Sequence, residues 1–128
     1  MANASFNPLA VIAGCAVDYG GTYAALYAFA LARLLVQGPP TEAASPAMTL
    51  TSVALGALCT VLGGFTAARF ARANPLAHGA AVGVVATLLG VLSLMGSSSA
   101  SVERITLIGI GISLPAGVVG SLIGGTRD

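Results

Sequence analysis

Residues 8–32 read PLAVIAGCAVDYGGTYAALYAFALA, a stretch in which Asp18 is the only charged side chain. About 20 consecutive apolar residues cross the hydrocarbon core of a bilayer as an α-helix. The stretch therefore predicts a membrane-spanning helix. A charged side chain near the bilayer centre costs about 2.5–3.5 kcal/mol on insertion scales, which makes Asp18 the first candidate for a functional residue.

The composition of the whole chain is that of a membrane protein. Of its 128 residues, 56% are hydrophobic and 7% are charged, whereas a soluble domain carries about 25% charged residues. Within lipid, helices and closed barrels are the two structures that satisfy the backbone. The apolar runs are long and unbroken, which favours helices over the short alternating strands of a barrel. The net charge of +1 gives no electrostatic support for a nucleic-acid partner.

The predicted fold is all-α, a four-transmembrane-helix up-down bundle that forms a single integral membrane domain over residues 1–128. Gly38-Pro39-Pro40 and Asn74-Pro75 break the apolar pattern, because proline lacks an amide donor and restricts the residue before it. Short connections make sequence neighbours antiparallel. The predicted spans cover about residues 8–36, 47–72, 76–96 and 104–123.

Arginine residues near the predicted helix ends indicate the orientation in the membrane. Arg69 and Arg72 supply the membrane-interface charge between the second and third spans, on the same side as Arg127, while Arg33 and Arg104 lie on the opposite side. The positive-inside rule therefore favours termini in the cytoplasm. Insertion in both directions is the alternative at so small a charge difference.

Small residues recur at four-residue spacing and so line one face of each of three predicted helices. Membrane helices associate through close backbone approach at such faces. Packing within the chain explains any one face, but three faces predict that at least one, most readily that of the second or fourth helix, contacts another chain. The predicted packing positions are Gly56, Thr60 and Gly64, then Gly79 and Gly83, then Gly109, Ser113, Gly117 and Ser121.

Asp18 lies in a small polar cluster with Tyr19, Thr22 and Tyr23. Removal from water disfavours the charged form of a carboxyl, so this cluster predicts a group that binds and releases a proton or an ion. The alternative is a structural role, in which Asp18 bonds across helices. The partners considered for that role are Thr60, Ser52, Ser113, a tyrosine hydroxyl and Arg69.

Tyr19, Tyr23 and Tyr27 form a row at four-residue spacing along the first helix. The row predicts either a packed helix–helix seam or the wall of a cavity for an aromatic or cationic ligand.

The sequence contains no catalytic constellation, so we expect no enzyme activity, no cofactor and no metal. His78 is the only histidine and has no Cys or carboxylate at ligand spacing. We expect it at the surface or against lipid headgroups. Cys15 and Cys59 both fall in apolar runs, which favours buried thiols over a disulfide.

Three segments resemble small four-span bacterial membrane proteins of unknown function. They are residues 17–22 (VDYGGT), 63–69 (GGFTAAR) and 75–79 (PLAHG). The resemblance covers the first three spans and implies a bacterial inner-membrane protein without assigning an activity.

The spacing of Asp18, Gly21 and Thr22 is similar to that in small multidrug-resistance transporters. That resemblance implies that Asp18 binds a proton and a substrate alternately in an antiparallel dimer. The chain departs from that family because the family has Glu at the acidic position and a Trp in its aromatic wall, which this chain lacks.

Two functional hypotheses follow from the sequence. The first is a non-enzymatic multi-pass protein of the inner (plasma) membrane that packs through its small-residue faces, as an accessory subunit or a homo-oligomer. The alternative is a small proton- or ion-coupled transporter or channel that uses Asp18.

Overall fold

A computed structural model describes residues 6–39, 45–71, 73–96 and 100–125. Its four helices are long and apolar enough to cross a membrane, so the chain is a multi-pass membrane protein and the predicted all-α four-helix class is confirmed. The largest difference from the predicted spans is at the start of the fourth helix, expected near residue 104. The helices are α1 (Pro8–Gln37), α2 (Pro46–Phe70), α3 (Pro75–Gly96) and α4 (Ala100–Gly125).

Proline begins three of these helices, at Pro8, Pro46 and Pro75. The first helical position suits proline because the amide it lacks would have no partner within the helix. Asn7 and Ser45 precede two of these prolines, and each side chain accepts a backbone N–H from the first turn. The starts of α1 and α2 are therefore fixed by local sequence.

Helix α2 lies at the centre of the bundle and contacts the other three helices. Its interface with α4 is the most extensive, followed by the α3–α4 and α1–α2 interfaces, and in the described part of the chain α1 and α4 do not touch. Sequence neighbours run antiparallel, so α2 and α4 run parallel to each other. The bundle is therefore organised around the α2–α4 pair.

Glycines bring the helix backbones together in this arrangement. A Cβ atom on Gly64 would collide with the carbonyl oxygen of Gly117, which joins α2 to α4. A Cβ atom on Gly14 would lie 2.6 Å from the carbonyl oxygen of Gly63, which joins α1 to α2. Such close approach is the usual basis of helix association in membranes.

The bundle has two halves that differ in packing. We name residues 6–18, 59–71, 75–83 and 116–125 the closed half, and residues 19–37, 46–58, 84–96 and 100–115 the open half. Every described residue that is buried lies in the closed half. Asp18 in α1 and Cys59 in α2 are the last buried residues before the open half begins.

Candidate functional site

A cavity of about 240 Å³ lies in the open half, is lined by all four helices and reaches down to Asp18 and Thr60. This volume is large enough for several water molecules. Much of the lining is apolar, but each helix contributes at least one hydroxyl. Besides Tyr19, the hydroxyl-bearing residues are Thr22, Ser52, Thr60, Ser93, Thr106 and Ser113.

The Asp18 carboxyl forms the floor of the cavity. Its Oδ1 atom accepts a hydrogen bond of 2.9 Å from the Thr60 hydroxyl, and the two residues are 4% and 5% exposed. Gly63 allows this contact, because a Cβ atom there would lie 2.9 Å from the Cβ of Asp18. Of the polar partners considered from the sequence, Thr60 is the one that bonds to Asp18.

Arg69 was another candidate partner, but it lies nine positions beyond Thr60 in α2. That separation is about 13.5 Å along a helix axis, which is too far for an ion pair with Asp18. The Arg69 guanidinium lies over the ring of Phe65, 5.5 Å from its centroid. Arg69 is exposed at the end of α2, where membrane-interface charge was predicted. Arg72 and Arg127 lie outside the described residues.

The Thr60 hydroxyl faces two acceptors at once. Its Oγ1 atom lies 2.9 Å from Asp18 Oδ1 and 3.1 Å from the carbonyl oxygen of Gly56. A hydroxyl has one hydrogen to donate and can also accept. An ionised carboxyl takes that hydrogen, whereas a protonated carboxyl donates to Thr60 and leaves the hydroxyl hydrogen to Gly56. The α1–α2 contact can therefore persist in both protonation states of Asp18.

The row of tyrosines leaves the cavity after its first member. Tyr19 lines the cavity together with Thr22, but Tyr23 is 60% exposed and Tyr27 is 74% exposed. The prediction of a packed seam or a cavity wall is wrong for Tyr23 and Tyr27 within this chain. A row at four-residue spacing turns by about 40° per step, so it winds away from the bundle.

The predicted packing positions divide between helix–helix contacts and the lining of the cavity. Gly64, Gly79, Gly83, Gly117 and Ser121 lie at contacts between helices of this chain. The remaining four, Gly56, Thr60, Gly109 and Ser113, line the cavity. Gly64 and Gly117 lie on the two faces that were the best candidates for a contact with another chain. A Cβ atom on Gly64 would meet the backbone of Gly117 in α4, whereas a Cβ atom on Gly117 would meet Gly79 and Gly83 in α3.

His78 is fully buried, at 0% exposure, so its expected place at the surface is wrong. Its Nε2 atom accepts the backbone N–H of Asn7 at 2.9 Å, and Nδ1 lies 2.9 Å from the carbonyl oxygen of Asn74. The ring of Phe6 stacks on the imidazole at 4.6 Å. The signal in the sequence was the spacing of Asn74 and His78, which places the ring within reach of the turn before α3.

The cysteines were predicted to be buried thiols. Both are free thiols, but Cys59, next to Thr60 in α2, is buried, whereas Cys15 is half-buried. The described residues contain no group of three or more His, Cys, Asp and Glu side chains that could hold a metal ion. At the far end of the open half, Arg33 donates a hydrogen bond of 2.9 Å to Gln37.

No protein-family model matches the chain, and no curated protein or solved structure shows significant similarity to it. The resemblances named from the sequence therefore stay predictions. The geometry of the cavity and the chemistry of Asp18 are the features of this chain that bear on its function.

Proposed function

We propose that the protein is a small proton- or ion-coupled transporter or channel in which Asp18 binds the moving species. The observation that carries this proposal is the cavity in the open half, which ends on a buried carboxyl. Ionisable residues within membrane spans are costly to bury and commonly mark ion pathways or proton relays.

The chemistry of the cavity favours a proton or another cation over an anion. Among the described residues that line it, Asp18 is the one carboxyl, and Lys, Arg and His are absent. Hydroxyl oxygens such as those of Thr22 and Ser52 can replace part of the water around a cation as it leaves solution. The Thr60 hydroxyl supports the proposal because it has a hydrogen-bonding arrangement for each protonation state of Asp18.

The helices pack closely on the closed-half side of Asp18. A Cβ atom on Gly14 would lie 2.6 Å from the carbonyl oxygen of Gly63 and 2.8 Å from a methyl group of Val82, so α1, α2 and α3 meet there. In this proposal, that contact is the barrier to a solute that has reached Asp18. Transport would therefore use a second conformation in which part of the closed half separates.

A second candidate function is the non-enzymatic role favoured by the sequence, as an accessory subunit or a homo-oligomer. In this role Asp18 holds helices together by hydrogen bonding and moves no ion. The observation that favours it is the open side between α1 and α4. Among the described residues, no side chain or neighbouring backbone lies within 4 Å of the Cβ position of Gly109, which lines the cavity between these two helices. This glycine leaves room for a helix of another chain. Placement in the inner membrane with cytoplasmic termini is part of both proposals.

Asp18→Asn in proteoliposomes tests the first proposal. The probe is proton flux, followed with an internal pH-sensitive dye after a potassium diffusion potential is imposed. We expect Asp18→Asn to lower the flux about tenfold or more, because amide and carboxyl differ in the ability to release a proton. Glu42→Gln is the matched control, since it makes the same carboxyl-to-amide change in the connection between α1 and α2, and it should leave the flux unchanged.

The two candidate functions give different results in this assay. Flux equal to that of empty liposomes, with sodium and potassium gradients also giving no signal, would reject the transporter. In that case the native mass in mild detergent decides whether the protein assembles with itself or with another chain.

A further inference from the structure

We infer that Phe6, Asn7 and His78 form a latch that holds the closed half shut at the start of α1, and that its release opens the barrier below Asp18. We name these three residues the terminal latch. Its description as a gate for the Asp18 site rests on the proposed function. Its existence as a mechanical contact between α1 and α3 does not.

Both ring nitrogens of His78 take part in the latch. The carbonyl oxygen of Asn74 can only accept, so the Nδ1 atom at 2.9 Å carries the hydrogen. Nε2 then has a lone pair, which accepts the N–H of Asn7 at 2.9 Å. The ring is 0% exposed and is covered by Phe6, whose plane is inclined by 17° to it.

The turn before α3 holds the imidazole in place. Asn74 has a φ of 51°, in the left-handed region that Asn tolerates better than most residues. Its carbonyl oxygen also accepts the backbone N–H groups of Ala77 and His78 at 3.1 and 3.4 Å. Nδ1 of His78 therefore donates to the same carbonyl oxygen that accepts the first backbone hydrogen bonds of α3.

Asn7 connects the latch directly to α1. Its backbone N–H bonds to His78, while its side-chain oxygen accepts the backbone N–H of Leu9 at 3.1 Å and caps the helix. Asn7 therefore both caps α1 and ties the start of α1 to α3. A shift of the start of α1 away from α3 must therefore break the Asn7–His78 bond.

The part of α1 between the latch and Asp18 forms one side of the barrier. This part is about 16 Å long. Midway along it, a Cβ atom on Gly14 would lie 2.8 Å from a methyl group of Val82, and Val82 is 0% exposed. The α1–α3 interface is the least extensive of the bundle. Separation at this seam therefore disrupts less packing than separation of α2 from α4.

The accessibility of position 82 tests the latch. Val82→Cys is introduced into the full chain with Cys15→Ala and Cys59→Ala, and the protein is placed in nanodiscs, where water reaches both ends of the bundle. The measured quantity is the rate at which a charged, water-soluble thiosulfonate modifies the thiol introduced at position 82. His78→Leu removes both hydrogen bonds at similar side-chain volume, and Phe6→Ala removes the ring contact alone.

We expect His78→Leu to increase the modification rate about tenfold. Loss of the two hydrogen bonds destabilises the closed state, so the open state, in which position 82 is accessible, becomes more populated. Phe6→Ala should increase it by a smaller factor. Gln37→Leu is the matched control, because it removes the Arg33–Gln37 hydrogen bond at the opposite end, and it should leave the rate unchanged.

Unchanged rates in both latch variants, with the same helical circular dichroism as the parent, would overturn the inference. An equal increase from Gln37→Leu would also overturn it, since the effect would then be general loosening. If His78→Leu does not fold, Phe6→Ala decides, because it precedes α1 and removes no hydrogen bond. The thiol modification requires no transported solute. If the modification rate rises in the latch variants but the protein shows no ion flux, the transporter proposal is rejected and the latch is retained.

Discussion

Small residues at the α2–α4 interface of the closed half and small residues around the cavity of the open half have opposite effects. In the closed half, Gly64 and Gly117 bring two backbones into contact. In the open half, Gly56 and Gly109 have no described neighbour within 4 Å of their Cβ positions, and they line the cavity. A small residue in a membrane helix therefore permits close approach without imposing it, and where the helices diverge it enlarges a cavity.

Hydroxyl groups bond within their own helix in both halves. In the open half, three hydroxyls each bond to a carbonyl oxygen four residues earlier, those of Thr51, Ser93 and Ser113. In the closed half, the hydroxyls of Thr66 and Ser121 bond in the same local way. Among these hydroxyl groups, that of Thr60 is the one that also bonds across helices, to Asp18. Hydroxyls satisfied within one helix do not tie it to its neighbours, so the Thr60 contact at the boundary is the one whose loss should weaken helix packing.

The largest expected effect comes from placing leucine at Gly117 and at Gly109, two glycines of the same helix. Gly117→Leu should lower the free energy of unfolding by about 3 kcal/mol or more, because its Cβ would lie 2.6 Å from the carbonyl oxygen of Gly79 and the side chain would force α4 away from α3. Gly109→Leu should change it by less than about 1 kcal/mol, since its side chain enters the cavity, and it should reduce ion flux. Unfolding in mixed detergent–SDS micelles measures the first quantity. Equal destabilisation by both substitutions would remove the distinction between the halves.

A smaller effect is expected at the boundary between the halves. Thr60→Val keeps the shape of the side chain but removes the hydrogen bond to Asp18, so it should lower the free energy of unfolding by about 1 kcal/mol, as for other hydrogen bonds between membrane helices. Thr60→Ser, which retains the hydroxyl, is the control and should recover most of the loss. If valine and serine gave the same stability, the Asp18–Thr60 bond would contribute nothing to the α1–α2 contact.

The smallest effect is expected in the open half. Ser93→Ala removes a hydroxyl that bonds to the carbonyl oxygen of Leu89 in its own helix, so the free energy of unfolding should stay within about 0.5 kcal/mol of the parent value. The same micelle titration measures it. A loss above about 1 kcal/mol would mean that Ser93 links two helices, contrary to the local bonding of this half.

The spans were predictable because their signal is local. Length, hydropathy and the breaks at Gly38 and Asn74-Pro75 fix where the helices end, and the structure places α1 at Pro8–Gln37 against a prediction of 8–36. The importance of Asp18 was also predictable, because one carboxyl in an apolar helix is conspicuous. Its partner was not, since several hydroxyls lie at a similar depth and the sequence does not say which helix faces which.

The order of helices around the bundle could not be predicted from the sequence. Each helix is apolar on all sides, so no polar face shows which side meets lipid and which meets a neighbour. The pairing of Gly64 with Gly117 depends on two helices that are distant in the chain. The burial of His78 was missed for the same reason, because Asn7, which bonds to it, lies 71 residues earlier in the chain and Phe6 is next to Asn7.

The parallel contact between α2 and α4 also sets the order of assembly during synthesis. Helix α2 enters the membrane before α3 and α4 exist, so the surface around Gly64 stays without its partner until the last helix is inserted. Contacts between distant segments form late, because the chain between them must first be ordered. A ribosome-bound chain that ends after α3 should therefore present an unfilled glycine groove, the stage at which a membrane chaperone or a neighbouring nascent helix has its best opportunity to bind.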